Sequence, residues 1–125
     1  MPTTKNFYDF VSSGFVSVWI GDFRSEDDLD DYIDDIFPKE FGFQVPPQVV
    51  CEIGVRPQPM EIASIVQGFS RWKTFESAVI EAAQSRGIKE AACMFVIYNF
   101  KYDGSSETAD PLLKFIGSVP FPGFG

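Results

Sequence analysis

Apolar positions between Ser25 and Phe37 repeat with the period of a helix. They recur every three or four residues and form one stripe, made of Leu29, Tyr32, Ile33, Ile36 and Phe37. Ser25 stands where an N-cap would, and Asp28 follows three residues later, as in a capping box with Asp in place of Glu. Pro38 lacks a backbone N–H and disfavours helical geometry before it, so the pattern predicts a helix over residues 25–37.

A second helical stripe lies within residues 70–86. Its apolar positions are Phe75, Ala78, Val79, Ala82 and Ala83. Ser70 or Thr74 is the expected cap, and the small alanines favour close packing on a sheet. Gly87 suits a left-handed position just after the helix, with Ile88 as the apolar partner of a Schellman end.

Three other segments have strand patterns. Residues 15–21 alternate, and their uniformly apolar side, which is Val16, Val18 and Ile20, is expected to face the core. Residues 92–102 are apolar on both sides, which indicates a strand buried on both faces. Residues 112–119 form the last predicted strand, and the polar loop before it begins at Asp103-Gly104.

The remaining segments have weaker patterns. Residues 1–14 are compatible with a short helix packed on the body and ended by Ser12-Ser13-Gly14. Residues 39–59 are punctuated by prolines, and residues 49–55 between them have the composition of an edge strand. A helical turn or two is expected within residues 60–69, and residues 120–125 are too rich in Pro and Gly for regular structure.

The order of these elements predicts an α+β fold in a single domain, residues 1–125. We expect a mainly antiparallel sheet with two principal helices packed on one face. About nine residues separate the last two strands, so we expect them to pair as a hairpin. No apolar run approaches the roughly 20 residues of a membrane span, and the first residues lack a secretory pattern.

Composition adds a strong charge asymmetry. The formal net charge is −8, and residues 1–55 hold 3 Lys and Arg against 11 Asp and Glu. Such a field repels nucleic acid and anionic membranes and attracts a basic partner, although solubility alone is an alternative explanation. Cys51 and Cys93 lie in apolar surroundings and are interpreted as buried free thiols, which favours a cytoplasmic location.

The chain contains no histidine, which excludes several kinds of chemistry. Ser-His-Asp and Cys-His catalysis, histidine metal sites and an imidazole base are unavailable in their usual forms. Two distant cysteines do not make a zinc or iron–sulfur site, and no glycine-rich phosphate loop is present. We therefore expect no enzymatic activity, no cofactor and no resident metal.

The predicted helix over residues 25–37 is the main candidate for function. It carries seven acidic residues, which are Glu26, Asp27, Asp28, Asp30, Asp31, Asp34 and Asp35. A solvated face, a protein-docking face and, less favoured, a divalent-metal site are the alternatives. An EF-hand counted from Asp27 fails, because its sixth and twelfth positions hold Tyr32 and Pro38 instead of Gly and Glu. Acid–base work with Glu52 is disfavoured, because exposed carboxylates lack a low-dielectric cleft.

Three aromatic features have structural and functional alternatives. Trp19 in a strand is more typical of a core residue than of a cofactor site. Arg71-Trp72-Lys73 is either a weak nucleic-acid contact or a helix start with Trp72 packed as an anchor. Phe121 and Phe124 near the end of the sequence are either interface anchors or, more simply, fold back over the sheet edge.

The segment from Phe15 to Phe23, followed by Ser25, Leu29 and Tyr32, resembles the opening of the immunity protein 22 family. Further similar segments occur in the same order, at 69–70, 74–76, 91–103 and 113–118. One departure is Val45-Pro-Pro-Gln-Val-Val50, where family members often carry an acidic aromatic stretch, so the resemblance does not extend to a partner contact by this region.

This resemblance implies a bacterial protein that binds and neutralises a polymorphic toxin. The paired toxins are commonly nucleases, whose cationic surface an acidic inhibitor occupies. We expect the partner surface to comprise Asp27, Asp28, Asp30, Asp31, Asp34 and Asp35, with Tyr32 as a possible aromatic anchor. The alternatives are a self-associating structural or regulatory domain and, less favoured, a metal-dependent hydrolase that uses the Asp cluster.

Overall fold

The computed structural model describes residues 7–46, 51–102 and 111–122. Within these ranges the chain begins with a 3-10 helix, Phe7–Phe10. The strands are β1 (Val11–Gly21), β2 (Cys51–Glu61), β3 (Glu90–Phe100) and β4 (Leu113–Pro120). The α-helices are α1 (Glu26–Asp35), α2 (Phe37–Phe41), α3 (Ile62–Val66) and α4 (Trp72–Ser85). None of the helices described is long and apolar enough to cross a membrane.

The four strands form one antiparallel sheet in the order β2-β3-β1-β4. The expected α+β class with a mainly antiparallel sheet is therefore confirmed. β1 and β3 are the two central strands, and each pairs with a neighbouring strand along both of its edges. Their sequences suit this position, because β3 is almost continuously apolar and β1 carries valine on one side and Trp19 on the other.

Each side of the sheet has its own core. The side carrying Val16, Val18 and Ile20, here the valine face, packs against α3 and α4. The side carrying Trp19, here the tryptophan face, packs against the 3-10 helix, α1 and α2. The two principal helices, α1 and α4, thus lie on opposite faces, and the expectation that they share one face is wrong. The physical reason is that the central strands are apolar on both sides, so each side needs a cover.

β3 and β4 do not pair, which corrects the expected hairpin. β1 lies between them, and both run antiparallel to it, so β3 and β4 are parallel to each other. Parallel strands are not joined by a tight hairpin. The short separation of β3 and β4 along the sequence suggested a hairpin. β1 is apolar on both faces, however, and both faces are better buried when β1 lies inside the sheet than when it lies at the edge.

The first long helix begins as predicted and ends earlier. The Ser25 hydroxyl accepts a 3.1 Å hydrogen bond from the backbone N–H of Asp28, so Ser25 is the N-cap. α1 ends at Asp35, and Pro38 lies in the first turn of α2. Backbone N–H groups in the first turn have no acceptor within the helix, so the N–H that proline lacks costs no hydrogen bond there. Pro38 therefore starts a second short helix, and Ile36 between the two is 41% exposed instead of buried.

α4 confirms the predicted C-terminal signal but not its cap. The N–H of Ile88 donates to the Ala83 carbonyl and that of Gly87 to the Gln84 carbonyl, both at 2.9 Å, which is a Schellman end. Neither Ser70 nor Thr74 is the N-cap, because Arg71 occupies that position with a positive φ of 60°.

The less legible segments are only partly as expected. Phe7 and Phe10 of the 3-10 helix are buried, and β1 begins at Val11, so Ser12-Ser13-Gly14 belong to a strand. β2 is an edge strand that continues through two prolines, with its register interrupted between Val55 and Met60. Phe121 is 2% exposed, in agreement with folding back onto the sheet. Phe124, Val49 and Val50 lie outside the described residues.

Candidate protein-docking surface on helix α1

Helix α1 presents a strongly acidic surface to solvent. Leu29 and Tyr32 point into the core on the tryptophan face of the sheet, while every carboxylate of the helix is exposed. We call the acidic face the set Glu26, Asp27, Asp28, Asp30, Asp31, Asp34 and Asp35. No lysine or arginine occurs between Glu26 and Asp35, so these charges have no basic neighbour within the helix.

The carboxylates of the acidic face act on one another. The pKa of Asp30 is raised, first by partial desolvation and then by the charges of Asp34, Glu26, Asp27 and Asp31. A raised pKa means that the ionised form is disfavoured, so this helix keeps its charge at a cost to its own stability. A cationic partner would relieve this repulsion, and that is the property expected of a docking surface for a basic protein.

Tyr32 does not lie on the acidic face, and this corrects its expected place as an anchor. It is 2% exposed, and its hydroxyl donates a hydrogen bond to the buried carboxylate of Glu40 in α2. Burial and the Glu40 contact raise the pKa of Tyr32 well above its usual range. The Glu40 carboxylate also accepts a 3.0 Å hydrogen bond from the N–H of Leu112. Tyr32 therefore fixes α1 against α2 and the start of β4.

Two residues whose backbones bond to Glu40 carry exposed apolar side chains, which the sequence pattern did not identify as surface residues. Ile36 is 41% exposed and Leu112 is 55% exposed. The N–H of Glu40 donates a 3.1 Å hydrogen bond to the Ile36 carbonyl, and its side chain bonds to the Leu112 N–H. Ile36 was assigned to the buried stripe, so only the break between α1 and α2 identifies it as a surface residue.

The structure separates Glu52 from the acidic face. Glu52 accepts hydrogen bonds from the Ser70 N–H at 2.8 Å and the Tyr98 hydroxyl at 2.7 Å, on the valine face of the sheet. α1 lies over the tryptophan face, so the sequence hypothesis of a carboxylate pair between Glu52 and α1 does not hold. In residues 7–46, 51–102 and 111–122, no group of three or more His, Cys, Asp or Glu side chains is arranged to hold a metal ion.

The two tryptophans are structural. Trp19 is fully buried and surrounded by aromatic rings, including Phe37, Phe95 and Phe115 with centroids 5.1–5.6 Å away. Trp72 is partly buried against the core of the valine face, and the Lys73 ammonium lies 5.7 Å from its ring centroid. The interpretation of both rings as packing residues is therefore confirmed.

A concave region lies on the valine face of the sheet, on the other side from α1. It is an open cleft of about 570 Å³, with Ile62, Ile80 and Ile88 among its walls. Glu61, Glu90 and Lys89 stand around it, so both signs of charge occur there. This cleft lacks the single sign of charge that sets the acidic face apart.

Fold and surface together define a small α+β protein with one strongly acidic helical face and an aromatic core. The sequence model of the family described as Immunity protein 22 matches residues 16–121 of the 125-residue chain. The chain therefore belongs to the immunity protein 22 family, and membership associates it with toxin neutralisation through binding of a cognate toxin. No curated protein and no solved structure matches the chain.

Proposed function

We propose that this protein binds and neutralises a cognate bacterial polymorphic toxin through the acidic face of α1. The observation that carries the proposal is the single sign of charge on this exposed helix: seven carboxylates and no basic side chain. The toxin is proposed to be a nuclease, because a nuclease presents a cationic surface to its phosphate substrate. The acidic face would occupy that surface in place of the nucleic acid.

The proposed mechanism is binding without catalysis. Long-range attraction between a net charge of −8 and a basic toxin raises the rate of encounter. Short-range complementarity then holds the complex, and the Tyr32–Glu40 contact keeps α1 in one orientation for docking. Neither a cofactor nor a membrane or nucleic-acid partner is needed, and the cytoplasm of the producing cell is the proposed site of action.

The decisive experiment begins with the gene immediately upstream. Its C-terminal domain is expressed alone and together with this protein, and cell survival and co-purification are measured. We expect the domain to kill alone, to be harmless in co-expression, and to elute with this protein as a stable complex. Assays of the purified domain on DNA and RNA, with and without this protein, then test the nuclease assignment.

Two alternatives predict different results. A self-associating domain would show a mass that rises with concentration in sedimentation, and an Asp-cluster hydrolase would bind magnesium, calcium or manganese in a calorimetric titration. A monomer with no heat of metal binding, together with a toxin complex, supports the proposal. Absence of a complex with the neighbouring domain would limit the family relationship to a statement about fold.

A further inference from the structure

The two edges of the sheet differ in how they are protected. β2 and β4 are the edge strands, and an edge strand has a row of backbone N–H and C=O groups without a neighbouring strand. Folded proteins usually block such edges with bulges, prolines, charged side chains or covering elements. Comparing the two edges therefore shows where an extended partner segment has access.

The β4 edge carries several blocking features. Its register with β1 shifts between Val18 and Trp19, so Ile116 is an extra residue at a bulge. The Nε–H of Arg86 on α4 donates a 3.2 Å hydrogen bond to the carbonyl of Ile116. Lys114 is exposed near one end of the strand, and Pro120 closes the other. These features make β4 a poor template for another strand.

The first half of β2 lacks these features except at its end, where the Val55 carbonyl accepts a 3.2 Å hydrogen bond from the Arg56 guanidinium. Residues 51–55 pair in regular register with β3, from Cys51 opposite Ile97 to Val55 opposite Cys93. Lysine and proline are absent from this stretch, and its one charged side chain, Glu52, is bound inward by Ser70 and Tyr98. In the part of the chain that the structure describes, no strand lies on its outer side. We call residues 51–55 the open edge.

The open edge has a defined end. Immediately after it, the Arg56 guanidinium donates hydrogen bonds to the carbonyls of Val55 at 3.2 Å and Ser64 at 3.3 Å. Pro57 and Pro59 follow, and neither has a backbone N–H to offer a new strand. An added strand would therefore pair over about five residues, a usual strand length.

Acidic side chains lie beside the open edge on the tryptophan face. α1 contacts β2 on this face, which also carries Cys51, Ile53 and Val55. Burial, Glu52 and then Asp30 raise the pKa of the Cys51 thiol, in agreement with Asp30 lying on the side of α1 nearest β2. Glu26 and Asp34 stand one turn to either side of Asp30, and Asp31 and Asp35 point about 100° further round the helix.

We propose that the open edge of β2 binds an extended, basic segment of the toxin as a fifth strand of the sheet. Backbone hydrogen bonds to residues 51–55 would provide the pairing, and Lys or Arg at alternate positions of the segment would face Glu26, Asp30 and Asp34. This inference rests on the proposed function and specifies the chemistry of the partner. A second copy of this chain is disfavoured as the added strand, because pairing two β2 edges would bring two acidic helices together.

The test measures hydrogen exchange of backbone amides, in this protein alone and bound to the C-terminal domain of the upstream-encoded protein. We expect the outward-facing amides in residues 51–55, which alternate with those already bonded to β3, to exchange at least about tenfold more slowly in the complex, since each new backbone hydrogen bond must open first. Amides in residues 115–119 of the blocked edge are the internal control and should change little. Protection of 51–55 that rises with concentration in the free protein would instead indicate self-pairing and overturn the proposal.

Two matched double variants test the role of charge. D30N/D34N and D31N/D35N each remove two negative charges at i and i+4, so they differ only in the side of α1 that is changed. We expect D30N/D34N to weaken the complex about tenfold and D31N/D35N by less than about threefold. A complex that forms with unchanged exchange in 51–55 overturns this inference but leaves the proposed function standing. Failure to form any complex overturns both.

Discussion

The hydroxyl of Tyr98 donates a 2.7 Å hydrogen bond to the carboxylate of Glu52, which joins central strand β3 to edge strand β2. The same hydroxyl lies 2.9 Å from the Ser70 carbonyl, which shares its proton, and the Ser70 N–H donates to Glu52. One carboxylate thus connects two strands with the segment that leads into α4. Among the described strands β2 has a neighbour on one side only, so this contact helps to hold the edge that we propose as a docking site.

Stability should depend on the ionisation of Glu52. Partial burial alone would raise its pKa, but hydrogen bonds from Ser70 and Tyr98 outweigh burial and lower the pKa below its ordinary value of 4.5. Ionised Glu52 therefore stabilises the fold above that pH, and the contribution is lost as the pH falls through the folded-state pKa. We expect E52Q to unfold more easily by about 1 kcal/mol at pH 7 in urea titrations.

The pH dependence separates this effect from a general loss of packing. The difference between wild type and E52Q should shrink as the pH falls below about 4.5 and through the lowered pKa of Glu52, where the carboxylate becomes protonated. Glu81 on the exposed side of α4 offers a control, because E81Q removes the same charge without a comparable buried contact. A stability difference for E52Q that stays constant with pH would contradict the role of the ionised carboxylate.

The two cysteines should react very differently. Cys93 is 0% exposed, and burial raises its pKa to about 11, so its thiol is both covered and protonated at pH 8. Cys51 is half-buried, and both burial and neighbouring carboxylates raise its pKa. With a thiol-reactive disulfide reagent at pH 8, we expect one slow reaction in the native protein and two fast ones in denaturant.

The rate at Cys51 also reports the position of α1. Asp30 contributes to the raised pKa of Cys51, so D30N should increase the rate of thiol modification by about twofold. D31N removes an equal charge from the solvent-facing side of the helix and should have a smaller effect. Equal rates for D30N and D31N would mean that Asp30 is not the α1 carboxylate nearest Cys51.

Substitution of Gly21 or Gly87 by alanine should lower the stability of the protein, for a different reason at each position. A Cβ at Gly21 would stand 2.7 Å from a Leu113 side-chain carbon and 2.9 Å from the Leu112 carbonyl oxygen, so β1 and β4 would have to separate. We expect G21A to cost about 2 kcal/mol or more. Gly87 has open space around it but a φ of +72°, so G87A should cost only about 1 kcal/mol of backbone strain. Thermal unfolding of both variants would check this order.

The Tyr32–Glu40 contact makes a further prediction about α1. In Y32F the buried Glu40 carboxylate loses a donor while the aromatic ring still fills its place in the core. We expect a loss of about 2 kcal/mol in the free energy of unfolding, because a buried side-chain acceptor loses one of its hydrogen bonds. E40Q, which keeps an acceptor for the Leu112 N–H, should lose less; a larger loss in E40Q would mean that the Tyr32 hydroxyl is not the principal donor.

The start of α1 and the end of α4 could be predicted from the sequence, because the residues that determine a helix end lie next to it in the chain. Ser25 and Asp28 mark the start of α1, and Gly87 with Ile88 marks the end of α4. The strand order could not be predicted from the sequence, because strand pairing depends on which strand has two apolar faces that must both be buried. Trp19 and Val18 lie on opposite faces of β1 and indicate that β1 is a central strand. The short separation of the last two strands along the sequence favoured a hairpin between them instead.

The charge of the acidic face could be predicted from the sequence, but its position beside β2 could not. The number of carboxylates on α1 follows from the sequence, and their exposure follows from the apolar stripe opposite them. The burial of Tyr32 follows from the same stripe and argues against using it as an anchor. The proximity of α1 to β2 joins residues far apart in the chain, so no periodicity reports it, and the open edge became visible only with the sheet order.

Removal of charge from α1 should act mainly on the rate of association with the toxin. Long-range steering depends on the field of the whole acidic face, so replacing Asp30, Asp31, Asp34 and Asp35 with Asn should lower the on-rate about tenfold at low salt. The dependence of the on-rate on ionic strength should become flatter, because fewer charges remain to be screened.

The matched control for this variant removes four charges from elsewhere. Four glutamates outside α1 are available for replacement with Gln, which are Glu61, Glu76, Glu81 and Glu90. Both variants have the same net charge, so stopped-flow rates separate the position of the charge from its amount. Equal slowing in the two variants would mean that net charge alone steers the toxin, and an unchanged on-rate in the Asn variant would remove α1 from the docking surface.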